Sequence, residues 1–372
     1  MLSVRPSSPP PCLAGPPPPP PLARPCPARR LLPCVAVASA TGQRGRRRGD
    51  DDYHATIRSL NSRGGHTPRK SLGQVRTRSA LRKDKDRPVL GPFEVLIRLV
   101  SAPLFAQHYM LNSSVNEELV RVAGVGEGDV VLEIGPGTGS LTNVLIDAGA
   151  TVVAIEKDPH MATLVQERFR STDQLMVLQE DFTKCHIHSH LSSLLEKNHK
   201  ESSLTYAKVV SNLPFNISTE VVKQLLPMGD VFSDVVLLLQ DEAASRLADC
   251  SLRTPEYRPI NIFVKFYSDP AYIIKVERTN FFPQPNVDAA IIRFRLKRSA
   301  EYPLVASPKS FFSMVNSAFN GKRKMLRKSL QHICPSVEIE AALITIGQPV
   351  TARPEELTLD DFVSLHNLIA RV

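Results

Sequence analysis

The sequence predicts an α/β fold, with a doubly wound, mostly parallel sheet followed by a small all-α domain at the carboxyl end. From residue 130 onward, short β-branched runs alternate with helical stretches, which is typical of consecutive βαβ units. The runs are almost continuously apolar, as expected for parallel strands covered on both faces. From residue 301 onward the pattern is helical.

The predicted sheet contains seven strands. Five buried parallel strands are expected at 130–135, 151–156, 175–178, 208–212 and 235–239. Two later apolar runs, 260–267 and 289–296, follow without a long helix between them, and we expect them to pair antiparallel and close the sheet. Helices are expected at 161–169, 309–319, 322–331, 337–346 and 359–371.

The composition is that of a chain with a sizeable core. Hydrophobic residues make up 42% and charged residues 22% of the 372 positions, which excludes global disorder. No apolar run reaches the roughly 18–20 residues that span a bilayer, so no membrane partner is expected.

The positive charge is concentrated at the amino end. Residues 1–49 hold eight arginines and no acid, and the remainder has 38 basic and 37 acidic side chains. The net charge of +9 is therefore no argument for a nucleic-acid partner.

Residues 1–49 have the composition of an organellar transit peptide. They lack acidic residues, are rich in arginine, alanine and proline, and cannot bury apolar area. A disordered tail that stays on the protein is the alternative. Because no continuous arginine-bearing amphipathic helix is present, we favour the chloroplast stroma over the mitochondrion. Residues 50–67 are expected to be a polar linker.

A glycine-rich turn follows the first predicted strand. Gly135, Gly137 and Gly139 let the backbone turn sharply and let a ligand approach it. Glu156 ends the second strand, where a carboxylate can accept both hydroxyls of a ribose, as in NAD or S-adenosylmethionine. The turn lacks the Lys-Ser/Thr ending of a phosphate-binding P-loop. Its glycine spacing also departs from the G-x-G-x-x-G dinucleotide fingerprint, because Ser140 occupies the position of the last glycine. A plain tight turn is the alternative. Asp181 follows the third strand and either caps a helix or reaches an adenine amine.

The fourth strand ends in Asn212-Leu213-Pro214-Phe215, which we predict to be catalytic. Methylation of an exocyclic base amine is hindered because its lone pair is delocalised into the ring. The Asn212 side-chain oxygen and a carbonyl of the Leu213–Pro214 step can accept the amine protons, and proline adds no competing donor. Phe215 offers a face on which an extruded base can stack. A strand-terminating turn is the alternative, less favoured in a sheet with this glycine-rich turn.

Two later segments fit a nucleic-acid surface. Phe281 and Phe282 lie in a proline-bounded loop, where they either staple the loop or offer a second stacking face. Five basic residues fall within the seven positions 322–328, which we expect to open a helix. Such a run is either a solvated face or a set of phosphate contacts, and opposite a base-binding loop we favour phosphate contacts.

With these motifs in order, the chain resembles the ribosomal RNA adenine dimethyltransferase family (KsgA type) and is most similar to its plant plastid member. The resemblance extends over 68–372 and rests on the motifs at 70–74 with 108–112, 133–139, 156, 179–181, 212–215, 282–288 and 321–324. It implies a class I S-adenosylmethionine-dependent methyltransferase domain at 68–300 and a helical domain at 301–372. It also implies dimethylation of two adjacent adenines near the 3′ end of small-subunit rRNA, with a role in ribosome biogenesis.

The resemblance implies roles for single residues. Cofactor contacts are expected from His108, Met110, Gly135, Gly137, Glu156, Asp181 and Asn212. RNA contacts are expected from Phe282, Lys322, Arg323 and Lys324. His108 and Met110 replace the commoner Asn and Leu, a mild departure since His108 keeps a polar donor. No metal is expected, and the six cysteines lack the paired spacing of a zinc site.

An insert at 75–107 separates the two halves of the first family motif, 70–74 and 108–112. It begins with Val75, whose codons all start with GT, and ends with Gln107, one of whose codons ends in AG. We therefore hypothesise a retained intron, with a genuine loop as the alternative. If translated, the insert enters the segment that closes over the cofactor and is expected to weaken cofactor binding.

Three classes of function are compatible with these residues. The leading one is a monomeric rRNA methyltransferase that acts on small-subunit rRNA or the pre-ribosomal small subunit. A non-catalytic organellar transcription or ribosome-assembly factor is disfavoured because the cofactor motifs are intact. A small-molecule or DNA amine methyltransferase is disfavoured by the basic segment and the stacking loop, although the choice of RNA over DNA comes from the resemblance alone.

Overall fold

The computed structural model describes residues 109–191, 206–214, 217–321 and 324–370. The expectations for 1–49, 50–67, 70–74 and 75–107 lie outside these residues, as do those for His108, Phe215, Lys322 and Arg323. Within the described ranges, no helix is both long and apolar enough to cross a bilayer.

A seven-stranded sheet forms the centre of the described chain. A short ribbon of β1 (Tyr109–Met110) and β8 (Phe281–Phe282) stands apart from it. The strands of the sheet are β2 (Val130–Ile134), β3 (Thr151–Glu156), β4 (Leu175–Gln179), β5 (Ala207–Asn212), β6 (Phe232–Gln240), β7 (Ser268–Val276) and β9 (Ala289–Leu296). They lie in the order β4-β3-β2-β5-β6-β9-β7, and β9 alone runs antiparallel to its neighbours. The predicted seven-stranded, mostly parallel sheet is confirmed.

Both faces of the sheet are covered by apolar clusters. The helices of this part are α1 (Ser113–Ala123), α2 (Ser140–Asp147), α3 (Pro159–Arg168), α4 (Ser218–Leu225), α5 (Asp241–Ala248) and α6 (Pro259–Tyr267). Successive strand residues point to opposite faces. Val131 therefore joins Leu119 in one cluster, whereas its neighbour Leu132 joins Val222 and Phe266 in the other. This explains why the strands read as continuous apolar runs.

The strand predicted at 260–267 is wrong, because these residues form α6. Pro259 lies in the first helical turn, where its missing N–H is tolerated, and the Asn261 side chain accepts from the Arg258 amide at 2.8 Å. A continuous apolar run does not distinguish a buried helix from a buried strand. The strand that pairs with β9 is instead β7, whose residues are mostly exposed. The strand predicted at 289–296 is confirmed as β9.

The carboxyl-terminal part is helical, as predicted. Its helices are α7 (Pro308–Phe319), α8 (Leu326–Ser329), α9 (Ser336–Thr345) and α10 (Leu359–Ile369). In place of the helix expected at 322–331, the structure has the single turn Leu326–Ser329. Met325 is extended (φ −68°, ψ 149°), so the helix begins after it and Lys324 lies outside the helix. The rings of Phe311 on α7 and Phe266 on α6 lie 5.3 Å apart, and one apolar core joins these helices to the sheet. The domain boundary at residue 301 stays a prediction.

Candidate active site at the carboxyl edge of the sheet

The strand order changes direction between β2 and β5. From β2 the chain continues to β3 and β4 on one side, while β5 and β6 lie on the other. In open α/β sheets, ligands bind in the crevice beyond the carboxyl ends of the strands at such a point. The motifs that follow β2, β3, β4 and β5 therefore lie at the same edge of the sheet, where the candidate site is expected.

Ser211 bridges the ends of β2 and β5 at the floor of this crevice. The two strands pair through Leu132 opposite Val209. Closer to the carboxyl edge, the buried Ser211 hydroxyl donates to the Ile134 carbonyl at 2.6 Å and accepts from the Ile134 amide at 3.1 Å. Sequence reasoning missed Ser211, although a polar residue inside an apolar strand beside Asn212 was an available signal.

The glycine-rich turn after β2 leaves open space above its backbone. Gly135 and Gly137 have φ angles of 68° and 57°, a left-handed conformation that favours glycine. A Cβ atom at either position would meet no atom within 4 Å. At Gly139, by contrast, a Cβ would lie 2.7 Å from the ring of Phe169. The turn can therefore receive a ligand over its first two glycines, while the third allows close packing against the end of α3.

Glu133 lies beneath this turn and carries a perturbed carboxyl group. The side chain is buried, and the Thr142 hydroxyl of α2 donates to its Oε2 at 2.6 Å. Burial raises the pKa of Glu133 to about 8, with a smaller contribution from the nearby Glu156. Glu133 is therefore largely protonated at neutral pH and ties β2 to α2. Sequence reasoning quoted Glu133 only as part of the motif and missed Thr142.

Glu156 ends β3 and is also buried. Its Oε1 accepts from the Asp158 amide at 2.9 Å, and Asp158 in turn caps α3. Burial raises the pKa of Glu156, while backbone N–H groups, including those of Asp158 and Gly137, oppose the rise. This carboxylate is oriented by the backbone and is available to hydroxyl donors.

Asp181 caps a turn of 3₁₀ helix, Phe182–Lys184, as the local alternative predicted. Its Oδ1 accepts from the Thr183 amide at 3.1 Å and hydroxyl at 2.8 Å, and its Oδ2 lies 2.8 Å from Lys157 Nζ. The hydrogen bond from Lys157 lowers the pKa of Asp181. This ion pair, which sequence reasoning missed, links the loops that follow β3 and β4. The adenine contact expected of Asp181 stays a prediction.

Asn212, Leu213 and Pro214 leave β5 beside the crevice. Asn212 is the last residue of the strand, half-buried and opposite Leu238 of β6. Leu213 is buried in the core. The Pro214 carbonyl accepts from the Ile217 amide at 3.2 Å, so the chain turns immediately into α4. A turn is thus present, and its geometry leaves Asn212 at the edge of the site.

The β1–β8 ribbon brings two further predicted residues to the same edge. It places Met110 opposite Phe281 and Tyr109 opposite Phe282. β8 lies in the connection from the end of β7 to the start of β9, which begins opposite Gln240 at the carboxyl end of β6. Phe281 is buried and staples the loop, whereas Phe282 is 46% exposed. One aromatic side chain is therefore structural and the other is free to stack.

The structure brings most of the predicted residues that it describes to this edge. They are Met110, Gly135, Gly137, Glu156, Asp181, Asn212, Leu213, Pro214 and Phe282. Lys324 lies elsewhere along the chain, exposed in the connection between α7 and α8.

These features define the class of protein. The seven-stranded order with one reversed strand, the glycine-rich turn at the switch point and the buried acid after the next strand form a class I S-adenosylmethionine-dependent methyltransferase fold. The residues fit that cofactor, because the turn leaves open space above Gly135 and Gly137, and no lysine or arginine side chain contributes to the pKa of Glu156.

The chain belongs to the ribosomal RNA adenine dimethylase family, whose sequence profile matches residues 102–370. This membership confirms the resemblance and the predicted enzyme class, an rRNA adenine dimethyltransferase that uses S-adenosylmethionine.

Three relatives illustrate the likeness. The chloroplastic ribosomal RNA small subunit methyltransferase of Arabidopsis thaliana is 62% identical over 324 residues, covering 86% of this chain and 84% of the relative. Ribosomal RNA small subunit methyltransferase A of Protochlamydia amoebophila is 34% identical over 285 residues, covering 75% and 97%. A crystal structure of a dimethyladenosine transferase from Plasmodium falciparum aligns with a TM-score of 0.54 at 22% identity, covering 69% and 96%, and supports the fold.

Proposed function

We propose that this chain dimethylates the exocyclic amines of two adjacent adenines near the 3′ end of small-subunit rRNA in an organelle and so contributes to ribosome biogenesis. The observation that carries the proposal is the position of Asn212-Leu213-Pro214 at the carboxyl end of β5, across the switch point from the glycine-rich turn of β2. The name of the Arabidopsis relative, a chloroplastic rRNA small subunit methyltransferase, supports the substrate and the compartment.

Two acceptors after β5 suit an adenine amine. No donor among the described residues reaches the Asn212 side-chain oxygen or the Leu213 carbonyl, whereas the Pro214 carbonyl is engaged by Ile217. We infer that Asn212 and Leu213 accept the amine protons and so localise the lone pair on nitrogen. Bound S-adenosylmethionine supplies the methyl group. The chain then contributes mainly by holding the nitrogen in line with that methyl group.

The cofactor is expected in the crevice over the glycine-rich turn. Glu156, oriented by the Asp158 amide, is placed to accept the ribose hydroxyls. Asp181 uses one oxygen for Thr183 and the other for Lys157, yet a carboxylate offers about four acceptor sites, which leaves capacity for an adenine amine. His108 and Met110 are proposed to close over the cofactor from the amino-terminal side.

The RNA is expected to meet two surfaces. Phe282, exposed beside the crevice, is proposed to stack on the target adenine as a second aromatic residue in addition to Phe215. The segment that contains Lys322, Arg323 and Lys324 is proposed to contact phosphates and so to position the RNA. The partner is small-subunit rRNA or the pre-ribosomal small subunit, and we propose a monomer.

The compartment proposed is the plastid stroma, with the mitochondrion as the alternative. The acid-free composition of 1–49 supports an import signal. Fusion of residues 1–67 to a fluorescent protein tests this, and fluorescence confined to mitochondria would contradict the plastid assignment.

The activity is tested by methyl transfer from labelled S-adenosylmethionine to unmethylated small ribosomal subunits, using the full chain and a form without 75–107. We expect Asn212→Ala to lower turnover by at least about 100-fold, as for loss of a key group that acts in the transition state. Asn367→Ala, which removes an amide on α10 that donates to the Leu304 carbonyl, is the matched control and should retain activity.

Near-normal turnover of Asn212→Ala would contradict the role of Asn212. Activity only without 75–107 would identify the insert as a retained intron, and activity in both forms would make it a tolerated loop. Activity in neither form would overturn the enzymatic proposal in favour of a non-catalytic binding factor.

A further inference from the structure

The segment after β4 gathers three different metal-ligating side chains. Glu180 directly follows β4, Cys185 follows the 3₁₀ turn, and His190 lies in the helical turn that begins at Ile187. One carboxylate oxygen, the Cys185 Sγ and one imidazole nitrogen all lie within 4.8 Å of one another. His190 Nε2 and Glu180 Oε1 are 3.4 Å apart. Three donors of different chemistry therefore converge on one point outside the candidate active site.

The backbone of this segment is held in place by contacts that do not involve the three donors. The Cys185 amide donates to the Phe182 carbonyl at 3.2 Å, and the Gln224 side chain of α4 donates to the same carbonyl at 3.2 Å. Phe182 and Ile187 are buried in the main core. The residues that carry the three ligand atoms therefore lie on a segment whose backbone is held by hydrogen bonds and core packing.

We propose that Glu180, Cys185 and His190 form a zinc-binding site. A thiolate, an imidazole and a carboxylate are the three ligand types that zinc takes in proteins, whereas calcium and magnesium select oxygen alone. With metal–ligand bonds of about 2.0–2.3 Å, a tetrahedral site holds its ligand atoms about 3.3–3.7 Å apart. Glu180 and His190 already have that spacing. The other two distances do not exceed 4.8 Å, so they need adjustments of at most about 1 Å.

The fourth coordination position faces solvent. The Cys185 side of the cluster is buried, while the side chains of His190 and Glu180 are 29% and 41% exposed. A water molecule can therefore complete the tetrahedron from outside. Glu180 is the immediate neighbour of Asp181, so bound zinc would fix the segment that carries Asp181. The proposed zinc is structural, and the inference does not depend on the proposed methyl transfer.

A second thiol–carboxylate pair shows what distinguishes this cluster. Cys334 Sγ donates to Glu338 Oε2 at 2.9 Å on the first turn of α9. Among the described residues, Glu180, Cys185 and His190 form a group of three converging donors, whereas Cys334 and Glu338 belong to no such group. The thiol–carboxylate contact alone is therefore ordinary, and the imidazole of His190 is what makes a metal site.

The experiment is a titration of the full chain, stripped of metal with a chelator, with Co²⁺ and then Zn²⁺. Tetrahedral cobalt with a thiolate ligand shows visible d–d bands and a near-ultraviolet sulfur-to-metal charge-transfer band. We expect both bands, their displacement by zinc, and loss of the charge-transfer band in Cys185→Ser. His190→Gln, at a side chain that is only 29% exposed, should weaken zinc affinity at least tenfold.

Cys334→Ser is the matched control and should bind as the unchanged chain does. Circular dichroism verifies that each variant is folded. Absence of the charge-transfer band in the unchanged chain, or the same titration curve for Cys185→Ser and His190→Gln as for the unchanged chain, overturns the proposal.

Discussion

The buried carboxylates at the two edges of the sheet differ in whether a cationic side chain neutralises them. At the amino edge, Asp129 before β2 lies 2.7 Å from Lys208 Nζ, which also donates to the Gly124 carbonyl. At the carboxyl edge, Glu133 and Glu156 are equally buried, but no lysine or arginine side chain contributes to the pKa of either group. A buried carboxylate without a cation costs stability and is typical of a site that a ligand uses. One edge therefore serves the fold, and the other serves binding.

A second ion pair at the amino edge supports the same comparison. Asp234 at the start of β6 is bound by the Arg293 guanidinium of the antiparallel strand β9, at 2.7 Å and 2.8 Å from two of its nitrogens. The amino edge thus joins β2 to β5 and β6 to β9 through charged cross-strand contacts. The carboxyl edge joins β2 to β5 through the uncharged Ser211 hydroxyl.

The largest expected effect is that of Glu156→Gln on cofactor affinity. Losing two hydrogen bonds to a charged group corresponds to about 3 kcal/mol, or roughly 100-fold weaker binding of S-adenosylmethionine. Stability should stay the same or rise, because a buried charge is removed. Calorimetric titration and thermal unfolding measure the two quantities. Unchanged affinity would end the assignment of Glu156 as a cofactor ligand.

Lys208→Met should show the opposite pattern. It leaves Asp129 buried without its cation, which we expect to lower the free energy of unfolding by about 2–3 kcal/mol. Cofactor affinity, measured well below the unfolding temperature, should not change. Arg121→Met, which breaks the exposed pair with Glu118 on α1, is the control and should alter stability little. A stable Lys208→Met variant with impaired binding would reverse the comparison of the two edges.

Glu133→Gln tests whether the buried carboxyl group without a cationic partner makes the free energy of unfolding depend on pH. The pKa of Glu133 is about 8 in the folded chain and 4.5 as the ordinary value, so the folded state holds a proton that the unfolded state loses between these pH values. The free energy of unfolding should therefore fall as pH rises from 4.5 to 8.

Replacement of Glu133 by glutamine should remove up to about 1.4 kcal/mol per pH unit of that slope. Urea unfolding at several pH values between 5 and 8 measures it, and the exposed Glu117→Gln serves as control. The raised pKa of Glu156 leaves a residual slope of the same sign. Parallel curves for the unchanged chain and Glu133→Gln would contradict a raised pKa.

Much of the candidate site was predictable because its motifs are local. Glycines at 135 and 137 were required by a sharp turn after a buried strand, and the structure gives them positive φ angles. Strand ends of parallel βαβ units meet at one edge, so the sequence alone places Glu156, Asp181 and Asn212 together. The side-chain partners of these residues, such as Lys157 on Asp181, were not predictable, because they depend on how neighbouring loops meet.

By itself, the sequence determined the α/β class, the parallel strands at the centre, the helical carboxyl end and the residues after each strand, since periodicity, glycine and proline act over a few neighbouring positions. Only the tertiary structure decided that 260–267 is a helix, that Ser211 joins β2 to β5, and that Phe281 is buried while Phe282 is exposed. It also brought Glu180 and His190 to Cys185, which no cysteine spacing indicated. Burial and convergence of this kind arise from packing between distant segments, which a local pattern does not encode.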